Sequence, residues 1–175
     1  MRSVVFFACF LCAGCVITSE YPDDWPKPGV SMNGDCPDIS GTYEDVGQGS
    51  LDGEWKSLSK TFFQSELASE GPVGIEQPDS ESLVVKVTSD GIDSATRSLQ
   101  RAQNDFWCED GKLWVSDVDK TLRVWAVARG RDNIGFSKAD DGSLLSEFDS
   151  KGGGLVFFIP VYGAVTSYFR WRAVE

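Results

Sequence analysis

Alternating apolar and polar positions run through much of the chain after residue 72. Leu83, Val85 and Val87 occupy every second position of one segment, and residues 165–173 alternate in the same way. Because successive side chains of a strand point to opposite faces, this period of two predicts strands with one buried face. The period and the flanking turn residues predict further strands at 73–77, 106–109, 112–116, 122–129, 134–136 and 143–149. The continuously apolar residues 155–159 predict a strand that is covered on both faces.

Turn-forming residues lie between these segments. Asp110-Gly111 is a strong hairpin signal between two apolar strands, and residues 78–81 and 140–142 carry the Pro, Asp, Ser and Gly of turns. The three glycines at 152–154 are expected to interrupt the chain once more. Roughly nine to eleven short strands with closely spaced turns predict a mainly β fold, an antiparallel meander that is closed as a small barrel or split as a sandwich.

One segment has helical spacing instead. Trp55, Leu58 and Phe62 fall on one face of a helix at positions i, i+3 and i+7. The sequence therefore predicts one short helix near residues 55–66.

The first fifteen residues have the pattern of an export signal. Arg2 precedes an apolar run over residues 4–11, and the small residues Ala13-Gly14 precede Cys15. The run is far shorter than the ~20 residues of a membrane-spanning helix. The pattern resembles a bacterial lipoprotein signal, which is cleaved just before the cysteine. This resemblance implies cleavage after residue 14 and a lipid anchor, including palmitate, on Cys15. An ordinary cleaved signal and an uncleaved anchor are the alternatives.

Val16 follows that cysteine at a position where aspartate would favour retention in the inner membrane, so the resemblance implies the outer membrane. Residues 16–35 contain three prolines, two glycines and several acids, and this composition is typical of a flexible tether. The predicted organisation is a signal peptide at 1–14, a lipidated tether at 15–35 and a single β-rich domain at 36–175.

Composition and charge narrow the function classes. The net charge of −11 and the pI near 4.4 disfavour nucleic-acid binding, because phosphates need a basic surface. They also disfavour adsorption to anionic lipid through the protein's own charge. The acidic charge either keeps the protein soluble through mutual repulsion or serves to bind a basic partner. Histidine is absent, which excludes Ser-His and Cys-His catalysis and His-liganded zinc.

Removal of the signal leaves three cysteines, Cys15, Cys36 and Cys108. If Cys15 carries lipid, the other two remain as a pair in an exported, oxidising compartment. A disulfide between Cys36 and Cys108 is the expected state there. The alternative is a pair of buried free thiols.

Two short motifs contain the paired cysteines. Cys36-Pro37 is followed by Gly41-x-Tyr43, and residues 108–113 read CEDGKL. In these motifs the chain resembles uncharacterised proteobacterial lipoproteins, which carry Cys-Pro and Gly-x-Tyr after the tether and a later Cys-x-x-Gly-x-Leu hairpin. The resemblance implies a lipoprotein location and a β-rich domain, and it brings no known activity.

Candidate catalytic and metal motifs are incomplete. Ser57-x-x-Lys60 matches the nucleophile motif of penicillin-binding enzymes, but Val118 and Leu122 stand where the partner motifs need asparagine and glycine. The acids that begin at Asp117 lack the glycine and the distal glutamate of an EF-hand, and nothing marks a glycosidase carboxylate pair. The sequence predicts no enzyme, no cofactor and no metal site.

Aromatic residues beside arginines are the candidate contact residues. Trp125 shares a strand face with Arg123 and Arg129, which predicts that it is exposed in a contact patch. The last strand carries a tryptophan between two arginines. This resembles the barrel end of lipocalins, where an arginine caps an aromatic ring, although the strand order and number do not identify that family. The predicted ligand or partner contacts are Trp125, Trp171, Arg170 and Arg172.

The sequence predicts a non-enzymatic envelope lipoprotein. This prediction rests on the expected anchor, tether and compact β domain, and on the lack of a complete set of catalytic residues. The predicted role of this lipoprotein is binding, either of another envelope protein or of a small apolar ligand. The alternative is inhibition of a basic wall-degrading enzyme such as lysozyme, for which the acidic charge is the support.

Overall fold

Two β-sheets contain most of the residues that the computed structural model describes, namely 14–29, 36–51, 53–63, 71–89, 91–117, 122–123, 126–156 and 159–174. The strands are β1 (Gly14–Thr18), β2 (Gly41–Tyr43), β3 (Val46–Gly49), β4 (Trp55–Ser57), β5 (Val73–Asp79), β6 (Ser82–Ser89), β7 (Ile92–Gln100), β8 (Phe106–Glu109), β9 (Lys112–Asp117), β10 (Leu122–Arg123), β11 (Ala126–Lys138), β12 (Leu144–Val156) and β13 (Ile159–Trp171). The helical segments in these ranges are α1 (Leu58–Phe63) and a 3₁₀ turn at Arg101–Gln103. Neither is long and apolar enough to cross a membrane.

The larger sheet has nine strands in the order β4-β3-β13-β12-β11-β9-β8, with β1 beside β13 and β10 beside β11. The smaller sheet has four strands in the order β2-β5-β6-β7. The strand pairs are antiparallel except for that of β1 with β13. Strands that follow one another along the chain therefore pair mostly with each other, as a meander requires.

One hydrophobic core lies between the two sheets. The smaller sheet contributes Tyr43, Val73, Ile75, Leu83, Val85, Val87 and Leu99. The larger sheet contributes Phe106, Leu113, Val115, Ile134, Phe136, Leu144, Phe169 and Trp171, and α1 adds Leu58 and Phe62. Neither sheet closes on itself within the described ranges. The predicted mainly β, antiparallel fold with one short helix is confirmed, and of the two predicted alternatives the sandwich, not the barrel, fits the structure.

The predicted hairpin turns are confirmed. Asp110 and Gly111 connect β8 to β9 with φ values of 53° and 71°, and a type I′ turn requires positive φ at both of its central positions. Ser80 and Glu81 connect β5 to β6. Gly142, with φ of 82°, lies in the turn before β12.

The helix predicted at 55–66 is shorter than expected. Trp55 lies in β4, which pairs with β3, and α1 begins only at Leu58. Ser57 caps this helix, because its hydroxyl oxygen accepts a hydrogen bond of 3.2 Å from the Lys60 N–H. Apolar spacing alone fits a helix over the whole segment, but strand pairing prevails at its beginning.

Three strands are longer than the sequence predicts, since β11, β12 and β13 each have 13 residues. The glycines at 152–154 do not interrupt the chain, because β12 pairs with a neighbouring strand on both sides at these positions. The apolar residues 155–159 are not one covered strand. Val156 pairs with Ile159, so the chain reverses between them.

The predicted tether at 15–35 also differs from the structure over its described part. β1 pairs with β13, and Trp25 is buried in a small cluster with Ala139 and Leu145. The Gly29 N–H donates a hydrogen bond of 2.9 Å to the Lys138 carbonyl. Proline and acidic residues predict flexibility, but burying the Trp25 ring favours a packed segment.

Cys36 and Cys108 form the predicted disulfide, with their Cα atoms 5.1 Å apart. Cys36 precedes β2, which is an edge strand of the smaller sheet, and Cys108 lies in β8, an edge strand of the larger sheet. The bond therefore joins the two sheets of the sandwich at their edges.

Candidate functional site

Trp55 is a large apolar residue on the sandwich surface, with 65% of its area exposed. It pairs with Gln48 of β3, and Gln48 pairs with Arg170 of β13. Because directly paired residues lie on the same face of a sheet, these three side chains form one row. An indole ring in a row with a guanidinium group is a combination that protein interfaces favour.

Polar contacts fix the backbone that carries Trp55. The carboxylate of Asp45 accepts hydrogen bonds from the Ser57 hydroxyl at 3.0 Å and from the Ser59 N–H at 2.6 Å. The Leu58 N–H donates to the backbone carbonyl of Asp45 at 2.8 Å. These bonds join the start of β3 to the end of β4, so Trp55 is presented by a paired strand and not by a loop.

One side of Trp55 borders a cleft of about 170 Å³, called the arginine cleft here, which is lined by Glu44, Val46, Gln48, Trp55, Arg170 and Arg172. Asp141 holds the Arg170 guanidinium, with 2.6 Å between Oδ2 and Nη2, and the Ser143 hydroxyl accepts a bond of 3.3 Å from Nε. Arg172 is exposed. Among the residues that the structure describes, the cleft thus combines one fixed and one exposed guanidinium group with the carboxylate of Glu44.

The other side of Trp55 borders the lysine cleft, of about 260 Å³, which is lined by Trp55, Lys56, Ser57, Lys60, Thr61, Asp132, Ile134 and Phe148. The Lys56 ammonium lies 4.0 Å from the centroid of the Phe148 ring and 5.3 Å from that of Phe169, which are cation–π distances. Asp132 accepts a hydrogen bond of 2.6 Å from the Ser150 hydroxyl. The described lining of the two clefts together carries four cationic side chains and two carboxylates.

Asp141 is expected to stabilise the fold at neutral pH and to lose this effect in acid. Burial raises the pKa of its carboxyl, but hydrogen bonds from Ser143 and the pairing with Arg170 outweigh burial and hold the pKa below its usual range. Because the pKa is lower in the folded state, the stabilisation is present above the unfolded pKa and is lost as pH falls through the folded pKa. Asp141→Asn should therefore melt below wild type at pH 7, and the two melting temperatures should converge in acid.

Asp140→Asn, at the exposed neighbouring residue, is the matched control and should follow the wild-type curve. A difference between Asp141→Asn and wild type that stays constant from pH 7 down to acid would contradict the prediction.

The structure separates the predicted contact residues. Arg170 and Arg172 both line the arginine cleft. The prediction for Trp171 is wrong, because its side chain is fully buried. Adjacent residues of a strand point to opposite faces, so the two arginines and the tryptophan between them cannot form one patch. Trp125 lies outside the described residues.

Sequence reasoning missed Trp55 as a surface residue because it assigned the residue to a helix face. A signal for the correct element was available, since residues 49–53 contain Gly, Ser, Asp and Gly between two short segments, and such clusters mark a hairpin. Cys15, the predicted lipidation site, lies in β1 opposite Gly163.

The site offers an exposed indole together with guanidinium and ammonium groups. Among the described residues, no three Cys, Asp or Glu side chains come close enough together to hold a metal ion. Comparison of the chain with known protein families, with curated proteins and with solved structures finds no match in any of the three. The function must therefore be inferred from the chemistry of the site itself.

Proposed function

We propose that this chain is a non-enzymatic lipoprotein of the bacterial cell envelope, anchored in the outer membrane through Cys15, and that it binds another envelope protein. The observation that carries the binding role is Trp55, which is exposed between two clefts lined by arginine and lysine. Tryptophan and arginine are the residues that contribute most to binding energy at protein interfaces. The anchor is supported by the residues that precede Cys15.

A protein partner fits this surface better than a small apolar ligand does. Drug-sized ligands occupy clefts of about 300–1,000 Å³, whereas the arginine and lysine clefts measure about 170 and 260 Å³. The space between the sheets holds fully buried side chains such as Tyr43, Phe136 and Trp171. A ligand inside the sandwich would have to displace this packed core.

The cations beside Trp55 indicate the chemistry of the partner. Arginine forms paired hydrogen bonds with carboxylates, and an exposed indole binds an apolar or aromatic hollow. An acidic partner surface with one apolar pocket therefore complements the Trp55 row and Arg172. A basic enzyme such as lysozyme, the alternative that the net charge suggests, would meet these same cations, so the surface favours the acidic partner.

Trp55→Ala is expected to reduce partner binding at least tenfold without lowering stability, because truncation of a central interface tryptophan typically costs about 2 kcal/mol or more. Ile92→Ala is the matched control. It removes another exposed apolar side chain, 72% exposed, from the smaller sheet. The three proteins are expressed at equal levels, cross-linked in the envelope and purified, and the recovered partner is quantified by mass spectrometry.

Equal recovery of the same partner with all three proteins would contradict a role for Trp55. Native mass spectrometry of the gently extracted protein tests the other alternative. A reproducible small-mass adduct without any protein adduct would favour a ligand carrier, and inhibition of lysozyme at low salt would favour the inhibitor.

A further inference from the structure

A short N-terminal segment covers part of the larger sheet. It comprises residues 19–29 and is called the strap here. Trp25 of the strap is 7% exposed and packs in a small cluster with Ala139 and Leu145. Leu144 belongs to the sandwich core, and adjacent residues of a strand point to opposite faces. The strap therefore lies on the face of the larger sheet that points away from the core.

Few groups in the described chain hold the strap on the sandwich. Its backbone hydrogen bonds to the sheet, as far as the structure describes them, come from its two ends. The Ser19 N–H donates to the Thr166 carbonyl at 3.0 Å, and the Gly29 N–H donates to the Lys138 carbonyl at 2.9 Å. The Ser19 hydroxyl adds one contact of 2.7 Å with the hydroxyl of Ser50.

The composition of the strap also limits how firmly it is held. Three prolines lie between its ends, and proline has no N–H to donate to the sheet. Trp25 is the aromatic ring of the strap that is buried, whereas Tyr21 is half-buried. Elements that are held by few buried contacts form the low-stability part of a fold and open locally. The strap is therefore the kind of element that another segment can displace.

The strap covers one end of the row that carries Trp55. Leu145, which packs with Trp25, pairs with Arg170. Arg170 pairs with Gln48, and Gln48 pairs with Trp55. Because directly paired residues share one face of a sheet, these side chains continue in a line from the strap to the exposed indole. The surface under the strap is thus continuous with the proposed binding surface.

The strap also lies beside the charged groups at the arginine cleft. Tyr21 makes an edge-to-face contact with Tyr168, with 5.3 Å between the ring centroids. Burial raises the pKa of the Tyr21 phenol, and Arg170 and Asp141 shift this pKa in opposite directions, so both charged groups lie near the ring. The strap carries three acids and one lysine, and its acids are exposed. This surface therefore already holds an acidic segment with aromatic residues.

We infer that the strap inhibits partner binding by occupying part of the partner's surface, and that an acidic segment of the partner with an aromatic residue displaces it. The partner's aromatic ring takes the place of Trp25 on Leu145, and its acids lie beside Arg170, as those of the strap do. Charge complementarity and continuity with the Trp55 row both favour this occupant. The inference rests on the proposed function in that a protein partner binds this face.

A docked strap lowers the apparent affinity for the partner. When only a fraction of the protein is competent to bind, the apparent affinity falls by that fraction. One buried aromatic ring shifts such a docking equilibrium by roughly tenfold or more, so loss of the Trp25 ring should release most of the inhibition. Partner binding and strap docking oppose each other to the same extent, because coupling between two sites is reciprocal.

A synthetic peptide with the sequence of residues 19–29 tests whether the strap can be displaced. The full-length protein is extracted in detergent and titrated with the fluorescently labelled peptide. We expect the peptide to bind Trp25→Ala about tenfold more tightly than wild type, because the strap of the variant competes less for the same surface. A second peptide, in which alanine replaces the tryptophan, should bind neither protein.

Gly29→Ala loosens the strap without changing a buried side chain. A Cβ at Gly29 would lie 2.9 Å from the Lys138 carbonyl oxygen, so this end of the strap has to shift. Gly74→Ala is the matched control, since the nearest described atom to a Cβ there is the Lys86 carbonyl oxygen at 3.9 Å. Gly29→Ala should bind the peptide more tightly than wild type, and Gly74→Ala should bind it as wild type does.

Recovery of the cross-linked envelope partner tests the inhibition itself. At equal expression, Trp25→Ala should raise recovery roughly threefold or more, whereas Trp55→Ala should lower it. The two tryptophan substitutions on one sheet face thus have opposite expected effects. Gly29→Ala should change recovery in the same direction as Trp25→Ala, and Gly74→Ala should leave it at the wild-type level.

The outcomes separate this inference from the proposed function. Equal peptide affinities of wild type, Trp25→Ala and Gly29→Ala overturn the displaceable strap. Partner recovery that does not rise with Trp25→Ala overturns the inhibition, and the proposed function stands if Trp55→Ala still lowers recovery. If Trp25→Ala raises recovery but Trp55→Ala leaves it unchanged, the inhibition is supported and the role of Trp55 fails. A wild-type pair of chains that Trp25→Ala separates, seen by native mass spectrometry, would make a second copy the occupant and overturn the partner segment.

Discussion

Loss of the Cys36–Cys108 disulfide is expected to lower the free energy of unfolding by about 4 kcal/mol. The bond joins residues 72 positions apart, so it removes much of the chain entropy of the unfolded state. It also holds together the edges of the two sheets, β8 and the chain entering β2. The double variant Cys36→Ala/Cys108→Ala removes the bond without leaving a reactive thiol. Urea unfolding measures the difference, and a fall in Tm of about 10 °C should accompany it in a domain of this size.

Reduction of the wild-type protein is the control for this variant. The reduced protein should unfold like the double variant, and the reductant should leave the double variant unchanged. A free-thiol assay on the unfolded, non-reduced protein checks the bond itself. If both Cys36 and Cys108 react in this assay, the prediction is contradicted.

Trp171→Ala is expected to lower the free energy of unfolding by about 3–5 kcal/mol. The indole is fully buried, with ring centroids 6.1 Å from Phe136 and 6.0 Å from Phe169. Its N–H donates a hydrogen bond of 3.1 Å to the Lys56 carbonyl. Truncation leaves both a cavity and an unpaired acceptor, and each is destabilising. Urea unfolding again measures the effect.

Trp55→Ala is the matched control, because the same truncation at an exposed position should change stability by no more than about 0.5 kcal/mol. Gly47 supplies an independent check, since a Cβ there would overlap the Trp171 ring. Gly47→Ala should therefore destabilise the wild type more than it destabilises Trp171→Ala. Similar losses for Trp171→Ala and Trp55→Ala would contradict the assignment of one ring to the core and the other to the surface.

Local patterns predicted much of the sandwich. The alternation at Leu83, Val85 and Val87 identified a strand and its buried face correctly, because side-chain direction in a strand follows from backbone geometry alone. The turn at Asp110-Gly111 was also predicted from its own two residues, because Asp and Gly are residue types that tolerate the positive φ of this turn. The disulfide was predicted from the number of cysteines and the expected compartment, without knowledge of the fold.

The candidate site was predicted only in part. Alternation along β13 correctly separates Trp171 from its neighbours Arg170 and Arg172, but it does not say which of the two faces another sheet covers. Trp55 is placed beside the arginines by the pairing of β4, β3 and β13. A local sequence pattern does not show which distant segments pair as strands. The extension of β12 through the glycines at 152–154 has the same origin, because hydrogen bonds to two flanking strands override the local preference for a break.

By itself, the sequence determined the β-rich composition of the domain, most strand positions, the tight turns and the cysteines available for pairing. These properties follow from interactions within a few residues of each other. Only the tertiary structure decided that the sheets form a sandwich, that Trp171 is core while Trp55 is surface, and that the described tether residues pack on the larger sheet. Each of these properties depends on which distant segments pair and on which sheet face they cover. Those pairings are stabilised by the contacts of the whole core together and not by any local segment.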